Sequence, residues 1–99
     1  MIKYYYTDVD GTHQTIGLPI PKISVVVPVG KGREEEFLNL EKSLEEQTFK
    51  DFELIVIGKG PKAINLNEGS KIARGEILLF IDSDLILSPM ILELVSPLS

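Results

Sequence analysis

A chain of 99 residues has room for one domain built on a single core. Its 43% hydrophobic and 25% charged residues are those of a globular chain, and a net charge of -5 presents the wrong sign to nucleic acid or an anionic membrane. There is no cysteine for a disulfide or thiolate metal site, and the longest apolar runs, such as Ile77 to Ile81, fall far short of the roughly 20 residues of a membrane span.

The start, Met1 to Tyr6, lacks the long apolar segment and small-residue cleavage site of a secretory signal, so a cytoplasmic location without membrane insertion is expected. Ile2 to Thr7 is aromatic and strand-like, Asp8-Val9-Asp10-Gly11 has turn chemistry, and Thr12 to Leu18 reads as a returning strand. Residues 1–21 are therefore expected to form an N-terminal β-hairpin extension, closed by Pro19 and Pro21, with the main domain over 22–99.

Ile23 to Pro28 is β-branched and apolar on both faces, the pattern of a central parallel strand. Gly30 and Gly32 open a turn. Glu34, Glu35 and Glu36 then suit the positive end of a helix dipole, and Phe37, Leu40 and Leu44 recur at helical spacing as its buried stripe. Phe52 to Ile57 is a second strand, broken by Gly58, Gly60 and Pro61. Asn65 and Glu68 make a capping pattern for a short helix from about Leu66 to Ala73, stopped at Gly75. Glu76 to Ile81 is a third strand. Ser88-Pro89 starts a last helix, with Met90, Ile91, Leu94 and Val95 as its apolar side. The fold expected is α/β, a small Rossmann-like three-layer unit with a short, mostly parallel sheet in the order second, first, third strand. All three strands then end on one edge.

Three motifs compete for that edge. Gly30-Lys31-Gly32 has the position of a dinucleotide fingerprint, but Glu35 occupies the place of the third glycine, and a plain turn accounts for it. Asp8-Val9-Asp10-Gly11-Thr12 resembles the nucleophile motif of haloacid-dehalogenase-like phosphatases, in which the first Asp attacks phosphorus and the second handles the leaving-group proton. The hairpin turn is its structural alternative. Asp82-Ser83-Asp84 places two carboxylates at a strand end, where they can share Mn2+ or Mg2+ with phosphate oxygens. The apolar Leu85-Ile86-Leu87 that comes next makes it costly to leave such acids without a cation or donor.

Taken together, Ile23 to Pro28, Leu44 with Gln47-Thr48-Phe49, Asp51 to Val56, the Asn65 to Gly75 stretch with Ala73-Arg74-Gly75-Glu76, and Phe80-Ile81-Asp82-Ser83-Asp84 followed by Pro89 resemble the amino-terminal half of a family 2 glycosyltransferase of the GT-A fold. The resemblance runs from about Pro21 to Val95. It implies a nucleotide-sugar or nucleoside diphosphate as ligand, with Pro28 and Val29 holding the nucleoside, Asp82 on the ribose, and Asp82 and Asp84 on a divalent cation that meets the diphosphate.

The chain departs from the family at three places. Gly58-Lys59-Gly60 stands where a pair of aspartates usually comes after the second strand, so the base-reading acid is absent, and Lys59 with Lys62 becomes the candidate for meeting diphosphate charge. The link from Gly60 to Asn65 is too short for the usual helix and strand. Past Asp84, Glu93 is the one acidic residue, so the family's acceptor half and general base have no counterpart, and sugar transfer by this polypeptide alone is not expected. The leading expectation is metal-assisted binding of a nucleotide-sugar. A non-catalytic binding or assembly module and, behind it, the phosphatase on Asp8 and Asp10 remain as alternatives. His13 reads as a surface residue, Asn65 as a cap and Arg74 as a complement to a helix C-terminus. Two open sheet edges favour a homodimer, with tyrosine-rich Ile2 to Thr7 as its interface.

Overall fold

The computed structural model describes residues 20–30, 32–58, 67 and 69–96 together with the backbone of 2–7. The turn and return arm of the expected hairpin, with Asp8, Asp10 and His13, lie outside the described residues, as do Lys31, Lys59, Lys62 and Asn65.

In chain order the elements are β1 (Ile2–Thr7), β2 (Ile23–Pro28), α1 (Glu34–Glu45), β3 (Phe52–Ile57), a helical turn α2 at 69–72, β4 (Ile77–Phe80) and α3 (Ile91–Val95). The sheet order of the described strands is β1-β3-β2-β4, and each pairing among them is parallel. The expected run of second, first and third strand is thus present as β3-β2-β4. Instead of standing apart from the main unit, β1 extends this sheet, with Ile2 opposite Phe52 and Thr7 opposite Ile57.

The register sorts side chains onto two faces. Ile23, Val25 and Val27 share one face with Phe52, Leu54 and Val56, and there they meet Phe37, Leu40 and Leu44 of α1 and Leu92 of α3. The opposite face carries Val26, Ile55 and Ile57 beneath Ile72 and Ala73. Both β2 and β3 are buried along their whole length, which is why their sequences are apolar without alternation. The result is three layers of helix, sheet and helix. Gly69 makes the second layer close: a Cβ there would lie 2.3 Å from Val26 Cγ1, so only glycine lets this turn rest on the sheet.

The last helix differs from its expected form. Pro89 lies in a turn and α3 begins at Ile91, because the Ser88 and Pro89 carbonyls are engaged by Gln47 and Thr48. The shift turns Leu92 into the core, with Ile91 and Val95 beside it, and leaves Met90 and Leu94 exposed.

One polar cluster sits inside this apolar frame at the amino ends of the strands. Glu53 is 0% exposed; its Oε2 accepts hydrogen bonds from the Ser24 hydroxyl and from the Arg74 backbone N–H at 2.8 Å. Ser24 Oγ in turn accepts from Gly75 N–H at 2.7 Å, and Arg74 Nη2 lies 3.6 Å from Glu53 Oε1. Arg74 thus serves a strand carboxylate, which corrects its expected role at a helix end. A buried charge that loses its partner costs about 3–5 kcal/mol, so Arg74→Met is expected to destabilise by that order, whereas adding Glu53→Met should recover part of the loss. Urea denaturation of the single and double variants measures both.

Candidate functional site

The parallel strands end together, and the site is built from the segments by which the chain leaves them. β2 runs out through Pro28 and Val29, both buried, to exposed Gly30; Val29 N–H extends the ladder by donating to the Ile57 carbonyl at 2.9 Å. β3 gives way to exposed Gly58, whose backbone crosses so near this point that a Cβ would lie 2.9 Å from the Val29 carbonyl oxygen. That contact excludes larger residues from the position where the resemblance would put aspartate. β4 ends at Phe80, and Ile81 N–H still bonds the Val26 carbonyl at 3.0 Å before the chain leaves the sheet.

Asp82-Ser83-Asp84 is the exit. Leu85 N–H closes a turn on the Asp82 carbonyl at 3.2 Å; Ser83 is tucked inward at 8% exposure, while Asp82 and Asp84 on either side are exposed. Both acids therefore face solvent from one tight turn. Strand order reverses between β2 and β4: α1 carries the chain from β2 to β3 over one face, and the chain returns past β2 to β4 under α2 on the other. In open α/β sheets, the crevice beside such a reversal, at the carboxyl ends, is where ligands bind.

Among the described residues no group of three or more acidic, histidine or cysteine side chains is placed to hold a metal. The donor set here is two carboxylates, which suits a hard cation that takes its remaining ligands from phosphate oxygens and water. The neighbouring Gly30–Gly32 turn is a poor phosphate cradle. It leads through Gly32, at φ 85°, into a helix whose first turn is Glu34, Glu35 and Glu36, and these acids already occupy the positive end of the dipole.

Of the residues expected at the site, Pro28, Val29, Asp82 and Asp84 lie on this edge, and Lys59 falls outside the described residues. Glu93, exposed on α3, accepts a hydrogen bond from the Thr48 hydroxyl at 3.4 Å, in the link that leads into the amino end of β3.

Sequence reasoning misses the side chains that hold the segment after the acids. Ser43 Oγ accepts from Leu87 N–H at 3.1 Å, and buried Gln47 donates from Nε2 to the Ser88 carbonyl at 2.6 Å and to the Ser43 carbonyl at 3.1 Å. Gln47 Oε1 accepts from Leu92 N–H at 3.0 Å, capping α3 from the link after α1. A signal for them does exist: 37, 40, 44 and 47 form one stripe, and a glutamine on an apolar stripe needs buried partners.

Neither a scan against protein-family models nor a search of the curated proteins finds a match for this chain. No helix among the described residues is long and apolar enough to cross a membrane.

Because both acids are exposed and sit beyond the ladder, neither is expected to carry the fold. Asp84→Asn should change unfolding free energy by no more than about 0.5 kcal/mol, measured by urea denaturation.

Proposed function

We propose that this chain binds the diphosphate of a nucleotide-sugar, in the manner of the donor half of a family 2 glycosyltransferase. The observation that carries the reading is the position of Asp82-Ser83-Asp84: two exposed carboxylates in a turn at the carboxyl end of β4, beside the reversal of strand order. Asp82 and Asp84 would hold a divalent cation, Mn2+ or Mg2+, which when bound offsets diphosphate charge that the acids alone would repel. The backbone at Val29 and Gly30, packed closely against Gly58, would supply the contacts for a nucleoside. Selection of the base then rests on shape and backbone groups rather than on an acid after β3.

A binding role without transfer is the second reading, and Glu93 favours it. That carboxylate is engaged by Thr48, away from the acidic turn. Self-association through a sheet edge is compatible with either reading.

Titration calorimetry with a panel of nucleoside diphosphates tests the proposal. Mn2+ or Mg2+ is expected to strengthen binding roughly tenfold or more over chelator, and Asp84→Asn is expected to remove that dependence. Equal affinity with metal and with chelator across the panel would refute it.

A further inference from the structure

Resting on that reading of Asp82 and Asp84, we propose that Ser43 and Gln47 are positioning residues for the acidic turn. The acids lie in a short segment fastened at both ends. Upstream, Ile81 N–H is bonded to the Val26 carbonyl of the central strand, so the chain enters the turn from a fixed point. Downstream, the chain is fastened at four successive places to the end of α1 and the link after it: Leu87 N–H to Ser43 Oγ, the Ser88 carbonyl to Gln47 Nε2, the Pro89 carbonyl to Thr48 N–H, and Leu92 N–H to Gln47 Oε1. Only residues 82–86 are left between the fastenings.

The chemistry of the fastening favours a set geometry over simple adhesion. An amide side chain can donate twice and accept once in a single plane, and Gln47 does all three while 1% exposed. Ser43 both donates to the Leu40 carbonyl and accepts from Leu87, which fixes its hydroxyl. Apolar side chains of the same volume would fill the space but leave the segment able to slide along α1. Leu87, packed against the core, and Ser83, tucked inward, complete the fit from the loop side. The two carboxylates are thereby held in one relation to each other, which a cation requires when only two protein carboxylates hold it.

The test compares Gln47→Met and Ser43→Ala with Ile55→Val, a core truncation on the opposite face. Two readouts are taken on the full chain: metal dependence of nucleoside diphosphate binding by calorimetry, and amide hydrogen exchange by NMR. The proposal expects Gln47→Met and Ser43→Ala each to lose roughly tenfold of the Mn2+-dependent affinity while affinity in chelator is unchanged. It also expects faster exchange at Leu85, whose N–H closes the acidic turn, with Val29 on the central strand unaffected and Ile55→Val changing neither. A merely structural role would release Leu87 or Leu92 and leave Leu85 protected. Unchanged exchange at Leu85 in both Gln47→Met and Ser43→Ala overturns the proposal, as does an equal loss of metal-dependent affinity in Ile55→Val. If the unsubstituted chain shows no metal dependence, the nucleotide reading fails, and Leu85 exchange still decides whether Ser43 and Gln47 set the turn.

Discussion

A carboxylate sealed inside this domain governs where its parts can go. Glu53 lies in a strand whose other side chains are apolar, and a charge in that position is tolerable only if donors and a cation are brought to it. They come from two places in the chain: Ser24 on β2, and the segment after α2, where Arg74 offers its backbone N–H and guanidinium and Gly75 N–H donates to Ser24. Contacts to one carboxylate therefore tie β2 to β3 and pin the link that leads into β4. Since β4 spans only Ile77–Phe80, the place where it starts decides where Asp82 emerges.

The two ends of the sheet are consequently unlike. At the amino end, Glu53 Oε2 and Ser24 are hydrogen-bonded within the domain, Glu53 Oε1 has only the ion pair with Arg74 among the described residues, and Lys22 and Glu76 add a surface ion pair at 3.3 Å. At the carboxyl end the chain leaves β2, β3 and β4 through Gly30, Gly58 and the acidic turn, with exposed backbone and exposed carboxylates. Buried polar contacts gather at one end and exposed chain exits at the other, the end at which open parallel sheets usually bind ligands. The helices respect this division too: α1 begins with three glutamates at the carboxyl edge, and Ser43 near its end, with Gln47 just after it, anchors the segment returning from that edge.

Most of this framework is legible from residue patterns because burial writes itself plainly into parallel strands. Ile23 to Pro28 and Phe52 to Ile57 are apolar on both faces, and Phe37, Leu40 and Leu44 mark the contact side of α1. Strand order comes from crossover rules, and Asp82 and Asp84 stand out as acids between apolar segments. The residues that residue patterns misplace are those whose partners lie far along the chain. Arg74 has the look of a local complement to a helix end, yet its carboxylate is on β3. Pro89 has the look of a helix start, but its carbonyl belongs to Thr48, and the displaced α3 turns Leu92 inward in place of Leu94. Tyrosine-rich β1 reads as one arm of a local hairpin, and its ladder with β3 is a long-range pairing that the pattern does not announce; the return arm lies outside the described residues. Local propensity describes a segment; a distant hydrogen-bond partner decides its end.

The all-parallel ladder also shapes how the domain must assemble. Ile2 pairs with Phe52, Ile23 with Phe52 and with Ile77, so each strand pairing closes a long loop before any bond rewards it. The five residues of α3 are too few to persist as a helix away from the sheet, and its cap is supplied by Gln47. Among the described elements, only the 12-residue α1 can form to any extent by itself. Such a chain belongs with the slower single-domain folders, those that take roughly milliseconds to seconds. Until β4 docks, its apolar edge, with Phe80 still 46% exposed after docking, is open to pairing with other chains. The acidic turn takes shape only when that last parallel strand is in place, so the two exposed carboxylates are also the part of the chain that waits longest for its surroundings.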